Sequence, residues 1–536
     1  MPLHTMTGAQ LKKLIGGTDE FCLLDVREQG EFSTGHSILS SCLPLGRIEF
    51  EVGDLVPQPK TPIILMDNGP RDAFQRAPRA AEKLQVLGYK QVFLLEGGIK
   101  GWLESGYKLY TGVNVLSKAF GEFIESTCHT PHISPEALHA KLVQRDNLVV
   151  FDARPEKEYH LMNIPGAVNV PGSELVYRFF DMVPDPQTLV VVNCAGRTRS
   201  IIGAQSLINA GVPNPVAALE NGTMGWHLAN FRLEHGKRSD FQAPSSVAVD
   251  KASACAYRVA KRFGVKSIDI ASLSEWRKNP SDQTLYLLDV RLPEEFEAGH
   301  IEGSRNAPGV QLVQATDEYV PVHNSKIVLV DDSEIRAAMT ASWLIQLGWQ
   351  NVWILSGGIS SQDLIQGPHQ PNVHDSPKMP TLNPQDLEAS GQSTASSPVV
   401  LDVASSREYA ESHLPGAFWI IHSRLAQDLS RVPESNTYNI TSKTGISAHL
   451  TARELQELCP EATVSVLEGG TSTWINLGFP YETGLTHPAS AVEDVWYKPY
   501  EHDDHPEKAM QEYIDWEVAL YPALQEEGLI RFPGFD

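Results

Sequence analysis

Residues 190–200 contain the side chains best suited to covalent chemistry. They read VVVNCAGRTRS, an apolar strand followed by Cys194, with glycine two positions later and arginine three and five positions later. In an open α/β sheet, ligands bind beyond the carboxyl ends of the strands, which is where this cysteine falls. A cysteine that only fills a core needs neither the glycine nor the arginines. We therefore predict that Cys194 is a nucleophile rather than a buried structural residue.

The loop after Cys194 leads into a helix predicted over 201–207. Backbone N–H groups of the loop and of the first helical turn lack partners within the helix, so they can form a cradle for an anion. This cradle, the helix dipole and the guanidinium groups of Arg197 and Arg199 all favour a thiolate over a thiol. The sequence therefore predicts a lowered pKa for Cys194 and a nucleophile near neutral pH.

Four similar segments lie along the chain, which indicates an internal repeat. Each begins with an apolar strand that ends in aspartate, at Asp25, Asp152, Asp289 and Asp402. Each continues with a glutamate and an aromatic residue, a second apolar strand, a helix with apolar residues at 3.6 spacing, and a third strand with a glycine turn. Short apolar strands that alternate with helices are typical of a parallel sheet covered on both faces. The predicted fold class is α/β, with each repeat a doubly wound parallel sheet.

Interruptions of this pattern divide the chain into four domains, three connectors and a tail. Apolar residues at helical spacing predict that the first two connectors are packed helices. In the aromatic-rich tail, Met510, Ile514 and Val518 predict an amphipathic helix that packs against a neighbouring repeat. The predicted domains are 1–112, 131–237, 263–366 and 382–485, the connectors are 113–130, 238–262 and 367–381, and the tail is 486–536.

The loop C-x-G-x-x-R, together with Asp152-Ala153-Arg154, Glu158-Tyr159 and Pro165-Gly166-Ala167, resembles the rhodanese homology domain. The resemblance extends from about residue 5 to residue 485, in four tandem copies, and only the second copy has the complete loop. It implies that Cys194 accepts a sulfane sulfur, typically from thiosulfate, to become a persulfide, and passes it to a thiophilic acceptor. It also implies the remaining roles: backbone amides of Ala195, Gly196, Arg197, Thr198 and Arg199 hold the substrate, Arg197 and Arg199 attract thiosulfate, and Arg154 assists. We expect Asp152 to brace the loop through hydrogen bonds.

The other three copies depart from the family pattern at the position of the cysteine. Aligned strands and helices place Asp67 or Asn68, Asp331 and Ser442 there. None of these side chains can carry a persulfide, so we predict that these domains are inactive. In the family such repeats shape a neighbouring active site or bind a partner, and a purely stabilising role is equally compatible with the sequence.

The composition restricts the classes of partner. The formal net charge of −23 disfavours direct binding to nucleic acid. No apolar run approaches the roughly 18 residues that a membrane span needs. The six cysteines show no metal-ligand spacing, so we expect no metal and no cofactor, and we interpret Glu501–His505 beside Pro506 as a solvated helix cap. The N-terminal residues lack the pattern of a secretory signal, and we expect a cytoplasmic protein with reduced thiols.

The main functional prediction is a thiosulfate sulfurtransferase with thiol, cyanide or protein acceptors. The alternative is a protein-to-protein sulfur carrier or sensory scaffold, in which the donor is the persulfide of another protein. A cysteine phosphatase or arsenate reductase is disfavoured by loop length, since phosphatases that resemble rhodaneses use a loop one residue longer than the six residues of Cys194 to Arg199.

Overall fold

The computed structural model describes residues 3–239, 242–279, 283–361, 363–373, 377–391, 398–501 and 505–534. The chain forms two compact units. One contains Met1–Gly17, Phe21–Val113 and Pro371–Tyr497, and so holds the first and fourth repeats. The other contains Thr18–Glu20, Asn114–Gln370 and Lys498–Asp536, and so holds the second and third repeats with the end of the tail. No helix in these described ranges is both long enough and apolar enough to cross a membrane.

The first two repeats have the same elements in the same order. The first contains strands β1 (His4–Met6), β2 (Phe21–Asp25), β3 (Ser41–Cys42), β4 (Ile63–Met66) and β5 (Val92–Leu95), with helices α1 (Gly8–Ile15), α2 (Gln29–Phe32), α3 (Ile48–Leu55), α4 (Arg76–Val86) and α5 (Gly98–Glu104). Helix α6 (Val115–Cys128) follows. The second contains β6 (His132–Ile133), β7 (Leu148–Asp152), β8 (Val168–Asn169), β9 (Leu189–Asn193) and β10 (Val216–Leu219), with α7 (Pro135–Gln144), α8 (Glu156–Leu161), α9 (Leu175–Met182), α10 (Thr198–Ala210) and α11 (Gly222–Leu228).

The last two repeats vary this pattern slightly. Helix α12 (Ser246–Arg262) precedes the third, which contains β11 (Lys266–Ile268), β12 (Leu285–Asp289), β13 (His300–Ile301), β14 (Arg305–Asn306), β15 (Val322–His323), β16 (Lys326–Val330), β17 (Val352–Leu355) and β18 (Leu364–Ile365), with α13 (Ile270–Lys278), α14 (Pro293–Ala298), α15 (Gly309–Gln314), α16 (Thr316–Tyr319) and α17 (Ile335–Leu347). The fourth contains β19 (Thr381–Leu382), β20 (Val399–Asp402), β21 (Phe418–Trp419), β22 (Thr437–Thr441) and β23 (Thr463–Leu467), with α18 (Pro384–Gly391), α19 (Ser406–Glu411), α20 (Leu425–Asp428), α21 (Ile446–Leu458) and α22 (Gly470–Asn476). Helix α23 (Pro506–Glu527) ends the described elements.

In each repeat, five parallel strands follow one order. It is β1-β5-β4-β2-β3 in the first repeat, β6-β10-β9-β7-β8 in the second, β11-β17-β16-β12-β14 in the third and β19-β23-β22-β20-β21 in the fourth. A small antiparallel pair, β13 with β18, adds to the third repeat. This arrangement of parallel strands and helices confirms the predicted α/β class.

In the second repeat, strand β9 occupies the middle of the sheet, between β10 and β7. Its residues Val190, Val191 and Val192 are completely buried. Both faces of the strand are therefore covered, which explains why its sequence is continuously apolar rather than alternating. The carboxyl end of the strand, and Cys194 directly after it, therefore lie at one edge of the sheet.

The connectors predicted as packed helices do form helices. Helix α12 packs against α9 of the second repeat and α17 of the third, within the same unit. These repeats also share buried polar contacts: Arg336 pairs with Glu174 at 2.9 Å, and the indole N–H of Trp343 donates to Ser206 at 2.8 Å. In the other unit, Arg79 of the first repeat pairs with Glu454 of the fourth at 2.8 Å.

The tail forms helix α23, as predicted, and packs against α6 and α11 of its unit. Its buried face differs from the predicted one. Val518 is 46% exposed, whereas Met510, Ile514, Glu517, Leu520 and Leu524 are buried. The prediction that Val518 is buried was wrong. After Ile514 the next buried position is three residues later rather than four, so Glu517 lies on the apolar face of the helix. Of the Glu501–His505 segment, residues 502–504 lie outside the described residues.

Candidate active site

Cys194 directly follows strand β9 and precedes helix α10, which begins at Thr198 rather than at the predicted residue 201. Its side chain is buried, with 2% of the residue exposed. The sulfur lies 3.5 Å from the hydroxyl oxygen of Ser200, and the backbone N–H of Ser200 donates to the sulfur. The thiol therefore faces the first turn of α10, where backbone donors are available to an anion.

The backbone of the loop is fixed by the start of helix α11. The amide of Thr223 donates to the carbonyl of Cys194 at 2.8 Å, and the amide of Met224 donates to the carbonyl of Ala195 at 3.0 Å. A Cβ atom on Gly196 would lie 3.0 Å from Met224 Cε and 3.1 Å from Glu517 Oε2. Neighbouring side chains therefore approach the backbone of Gly196 closely, and a larger residue would require them to shift.

The side chain of Arg199 is held by Glu158 of helix α8. Its two terminal nitrogens lie 3.0 and 2.9 Å from the two carboxylate oxygens, and Lys498 Nζ lies 3.4 Å from the same glutamate. Burial raises the pKa of Glu158, but the positive charge of Arg199 outweighs it and lowers the pKa to about 2. Arg199, which the sequence predicts to attract substrate, thus forms an ion pair with Glu158 beside the loop.

The side chain of Arg197 is directed to helix α6. It donates to Glu122 at 2.6 and 2.8 Å, to Glu125, and to Asn221 at 3.1 Å. The sequence favoured a thiosulfate-attracting role for this residue. These contacts connect the loop to helix α6, and the role of Arg197 in attracting thiosulfate stays a prediction.

Asp152 and Arg154 form an ion pair at the end of strand β7, with a nitrogen–oxygen distance of 2.6 Å. Asn193, the residue before Cys194, donates to Asp152 at 2.9 Å. Arg154 also donates to the carbonyl of Met162 at 2.7 Å. Asp152 therefore has the contact that the predicted bracing role needs. Arg154 is completely buried, and two of its side-chain nitrogens bind this aspartate.

The prediction of a lowered pKa for Cys194 is wrong for this structure. Burial of the sulfur raises the pKa above its ordinary value, although Arg199 and Ser200 act to lower it. The carboxylate of Glu517 acts with burial to raise it further. The sequence analysis included the charge of Arg199 and the backbone donors, which lower the pKa, but not burial and Glu517, which raise it.

Residues of the C-terminal segment complete the site, and the sequence did not reveal them. Glu517 of helix α23 accepts a hydrogen bond from the hydroxyl of Thr198 at 2.5 Å and one from its backbone N–H at 3.4 Å. Tyr513 lies one helical turn earlier, and a Cβ on Gly196 would be 3.5 Å from its ring. A signal was present, since Glu517 is a lone acidic residue within the apolar stripe of Met510 and Ile514.

The other repeats place different side chains at the position of Cys194. Strand register assigns Asp67, rather than Asn68, to this position, because Asp25 pairs with Met66 as Asp152 pairs with Asn193. Asp331 accepts hydrogen bonds from the amides of Glu334 at 2.6 Å and Arg336 at 2.8 Å. Asp67 of the first repeat likewise accepts from the amides of Gly69 and Ala77, at 2.7 and 2.9 Å. In the first and third repeats, therefore, the carboxylate at the position of Cys194 binds nearby backbone amides. In the fourth repeat, the hydroxyl of Ser442 accepts from the amide of Gly445 at 3.1 Å.

Comparison with known proteins agrees with this repeated architecture. Four stretches of the chain, residues 7–105, 134–229, 271–362 and 384–477, match the family model described as Rhodanese-like domain. Together they cover more than half of the chain. The chain therefore belongs to the family of proteins with rhodanese-like domains.

One solved structure is similar over the whole length. It is the crystal structure of a thiosulfate sulfurtransferase from Pseudomonas aeruginosa, with 43% sequence identity, a TM-score of 0.95 and coverage of 100% of both chains. Two curated relatives match shorter segments. Centrosomal protein of 41 kDa B from Xenopus laevis is 31% identical over 124 residues, which are 19% of this chain and 34% of that protein. The uncharacterized protein YqhL from Bacillus subtilis is 38% identical over 73 residues, which are 13% of this chain and 56% of that protein. The chain therefore spans about a third of the length of the first relative and about half of the second.

Proposed function

We propose that this protein is a sulfurtransferase that moves sulfane sulfur from thiosulfate or a related donor to a thiophilic acceptor through a persulfide on Cys194. The observation that carries the proposal is the position of the thiol, which follows a central parallel strand and faces the first turn of α10. The full-length similarity to a thiosulfate sulfurtransferase supports it.

The first half-reaction loads the cysteine. The thiolate of Cys194 attacks the sulfane sulfur of thiosulfate, the S–S bond of the donor breaks, and sulfite leaves with the electron pair. The product is a Cys194 persulfide anion. The Ser200 amide and the positive charge of Arg199 stabilise negative charge at this position, which favours both the attacking thiolate and the persulfide.

The second half-reaction returns the thiolate. A nucleophilic acceptor such as cyanide or a thiolate attacks the outer sulfur, the S–S bond of the persulfide breaks, and its electron pair returns to Cys194. Substrates thus react in sequence at one sulfur atom, which predicts ping-pong kinetics. Neither step requires a metal or an organic cofactor.

The test is turnover of thiosulfate with cyanide, followed as thiocyanate. Cys194→Ser should fall below about one per cent of the wild-type rate, since loss of a covalent nucleophile costs orders of magnitude. Cys459→Ser, at the end of α21 in the fourth repeat, is the matched control and should retain the rate. A Cys194→Ser variant with wild-type turnover overturns the proposal. Turnover only with a purified protein persulfide as donor would favour a sulfur carrier instead.

A further inference from the structure

The carboxylate of Glu517 occupies the first turn of helix α10, beside Cys194. Its Oε1 atom accepts from both the hydroxyl and the backbone N–H of Thr198, the first residue of this 13-residue helix. The N–H groups of a first turn have no partner within the helix, and the helix dipole favours negative charge there. Glu517 therefore binds where an anionic substrate of the loop would gain the same contacts.

The second oxygen of this carboxylate gives an independent indication that the position is not merely structural. Glu517 is 2% exposed, and its buried Oε2 atom has no hydrogen-bond partner among the residues that the structure describes. This atom lies against the loop, 3.1 Å from a Cβ position on Gly196. A buried, unpartnered carboxylate oxygen is unfavourable, and a hydrophobic residue would suit the stripe of α23 better. The burial of this oxygen therefore lowers the free energy of unfolding, which a purely structural residue at this position would not do.

The third repeat shows the same preference for a carboxylate. Its loop has the same spacing from strand to helix, and Asp331 stands in place of the cysteine. Asp331 accepts from the amides of Glu334 and Arg336, which correspond to Arg197 and Arg199. The loop amides of this fold therefore bind carboxylates, from within the loop in the third repeat and from α23 in the second.

Two cations, Arg197 and Lys118, attract Glu517, and each of them also has other partners. Arg197 and Arg199 are paired with glutamates of α6 and α8. Lys118 lies over the rings of Tyr513 and Trp516, and burial lowers its pKa to about 8 although the charge of Glu517 acts to raise it. A dianion that approaches the sulfur thus meets a fixed carboxylate.

We propose that Glu517 is a specificity-determining residue, whose carboxylate disfavours dianionic sulfur donors such as thiosulfate relative to donors of lower charge, the hydropersulfides of neutral thiols. The inference rests on the proposed sulfur transfer and deepens it by naming the favoured donor class. With a hydropersulfide R–S–SH, the Cys194 thiolate attacks the outer sulfur and the S–S bond breaks. The leaving R–S⁻ takes the electron pair and the proton of the hydropersulfide to become a thiol. The product on Cys194 is the same persulfide anion that thiosulfate gives.

The first experiment compares two donors. Values of kcat/KM are measured for thiosulfate and for the hydropersulfide of N-acetylcysteine methyl ester, which has no fixed charge. Glu517→Gln keeps the shape and the acceptor for Thr198 but removes the charge, so the thiosulfate-to-hydropersulfide ratio should rise about tenfold or more. Glu512→Gln, a mostly exposed position on the same helix, should leave the ratio unchanged. An unchanged or lower ratio in Glu517→Gln overturns the inference.

The second experiment does not depend on sulfur transfer. Cys194 is alkylated with iodoacetate, an anion, and with iodoacetamide, which is neutral, and peptide mass spectrometry gives both rates. The thiolate fraction affects both reagents equally, so their ratio reports the charge beside the sulfur. The ratio should rise about tenfold in Glu517→Gln, for a single charge removed at close range. Glu517→Asp, which keeps the charge and shortens its reach, should give a smaller rise; equal ratios in all three proteins contradict the inference even if no sulfur is transferred.

Discussion

Arg199 of helix α10 and Glu158 of helix α8 form a two-pronged ion pair, with nitrogen–oxygen distances of 3.0 and 2.9 Å. The same pair recurs where no cysteine is present. Arg336 contacts Glu295 at 2.6 and 3.1 Å in the third repeat, and Arg76 contacts Glu31 in the first. The pair therefore belongs to the fold of the repeat, and the second repeat adds a thiol near it.

Arg199→Ala should raise the pKa of Cys194, because the positive charge of Arg199 lowers it in the wild type. At a fixed pH below that pKa the thiolate fraction falls, about tenfold for each unit of upward shift. The free energy of unfolding should also fall by about 3 kcal/mol, since Glu158 loses its main partner. The pH dependence of alkylation by iodoacetamide measures the first effect, and thermal unfolding measures the second.

The matched control is Arg336→Ala in the third repeat. It breaks the corresponding ion pair and should lower stability, but the pH dependence of Cys194 alkylation should stay that of the wild type. A wild-type pH profile in Arg199→Ala would show that this guanidinium does not act on the sulfur.

Arg197→Ala should affect stability more than substrate binding. Its guanidinium pairs with Glu122 and Glu125 of α6, so its removal leaves a mostly buried carboxylate unpaired. We expect a lower melting temperature and a KM for thiosulfate within about twofold of the wild type, because this side chain is not directed at the sulfur. A large rise in KM without loss of stability would restore the substrate-binding role that the sequence suggested.

In the wild type, ionisation of the buried Asp402 should lower the free energy of unfolding as the pH rises. Asp402→Asn, which cannot ionise, should show a smaller decrease. Repeats one to three pair the corresponding aspartate with an arginine two residues later, but the fourth has Ala404, and burial raises the pKa of Asp402 to about 7. Because this value exceeds the ordinary one near 4, the contribution of Asp402 to the free energy of unfolding is fully present below about pH 4 and is lost as the pH rises from 4 to 7. Relative to the wild type, the free energy of unfolding of the variant should rise by at most about 3 kcal/mol between pH 5 and pH 8.

Thermal unfolding at both pH values provides the measurement for Asp402→Asn. Asp152→Asn is the control at the same position of the second repeat, where it leaves Arg154 unpaired and should lower stability at both pH values. The same pH dependence in Asp402→Asn and the wild type would contradict the assignment.

The sequence predicted the repeated architecture well because its signals are local. A strand that ends in aspartate, a cysteine after the second apolar strand and the loop spacing are all read within about a dozen neighbouring residues. The bracing contact of Asp152 was also accessible, since the carboxyl ends of adjacent parallel strands meet at one edge of the sheet.

The parts of the site that the sequence did not reveal depend on distant segments. Glu517 lies 319 residues after Thr198 in the chain, and no local pattern connects them. Similarly, the loop pattern places an arginine at position 197, but it does not predict that Glu122 of the distant helix α6 binds this side chain. The raised pKa of Cys194 follows from burial and from Glu517, which are properties of the packed unit rather than of the loop.

Persulfide stoichiometry tests the central claim most directly. Cys22 lies within strand β2 and Cys42 within strand β3, and Cys128, Cys255 and Cys459 lie outside the loops that correspond to the one containing Cys194. Reduced protein is incubated with thiosulfate, freed of excess reagent and weighed intact, and its peptides are then mapped. We predict one added sulfur atom per chain, located on Cys194 and absent from Cys194→Ser. Two or more sulfur atoms, or one on another cysteine, would contradict the account.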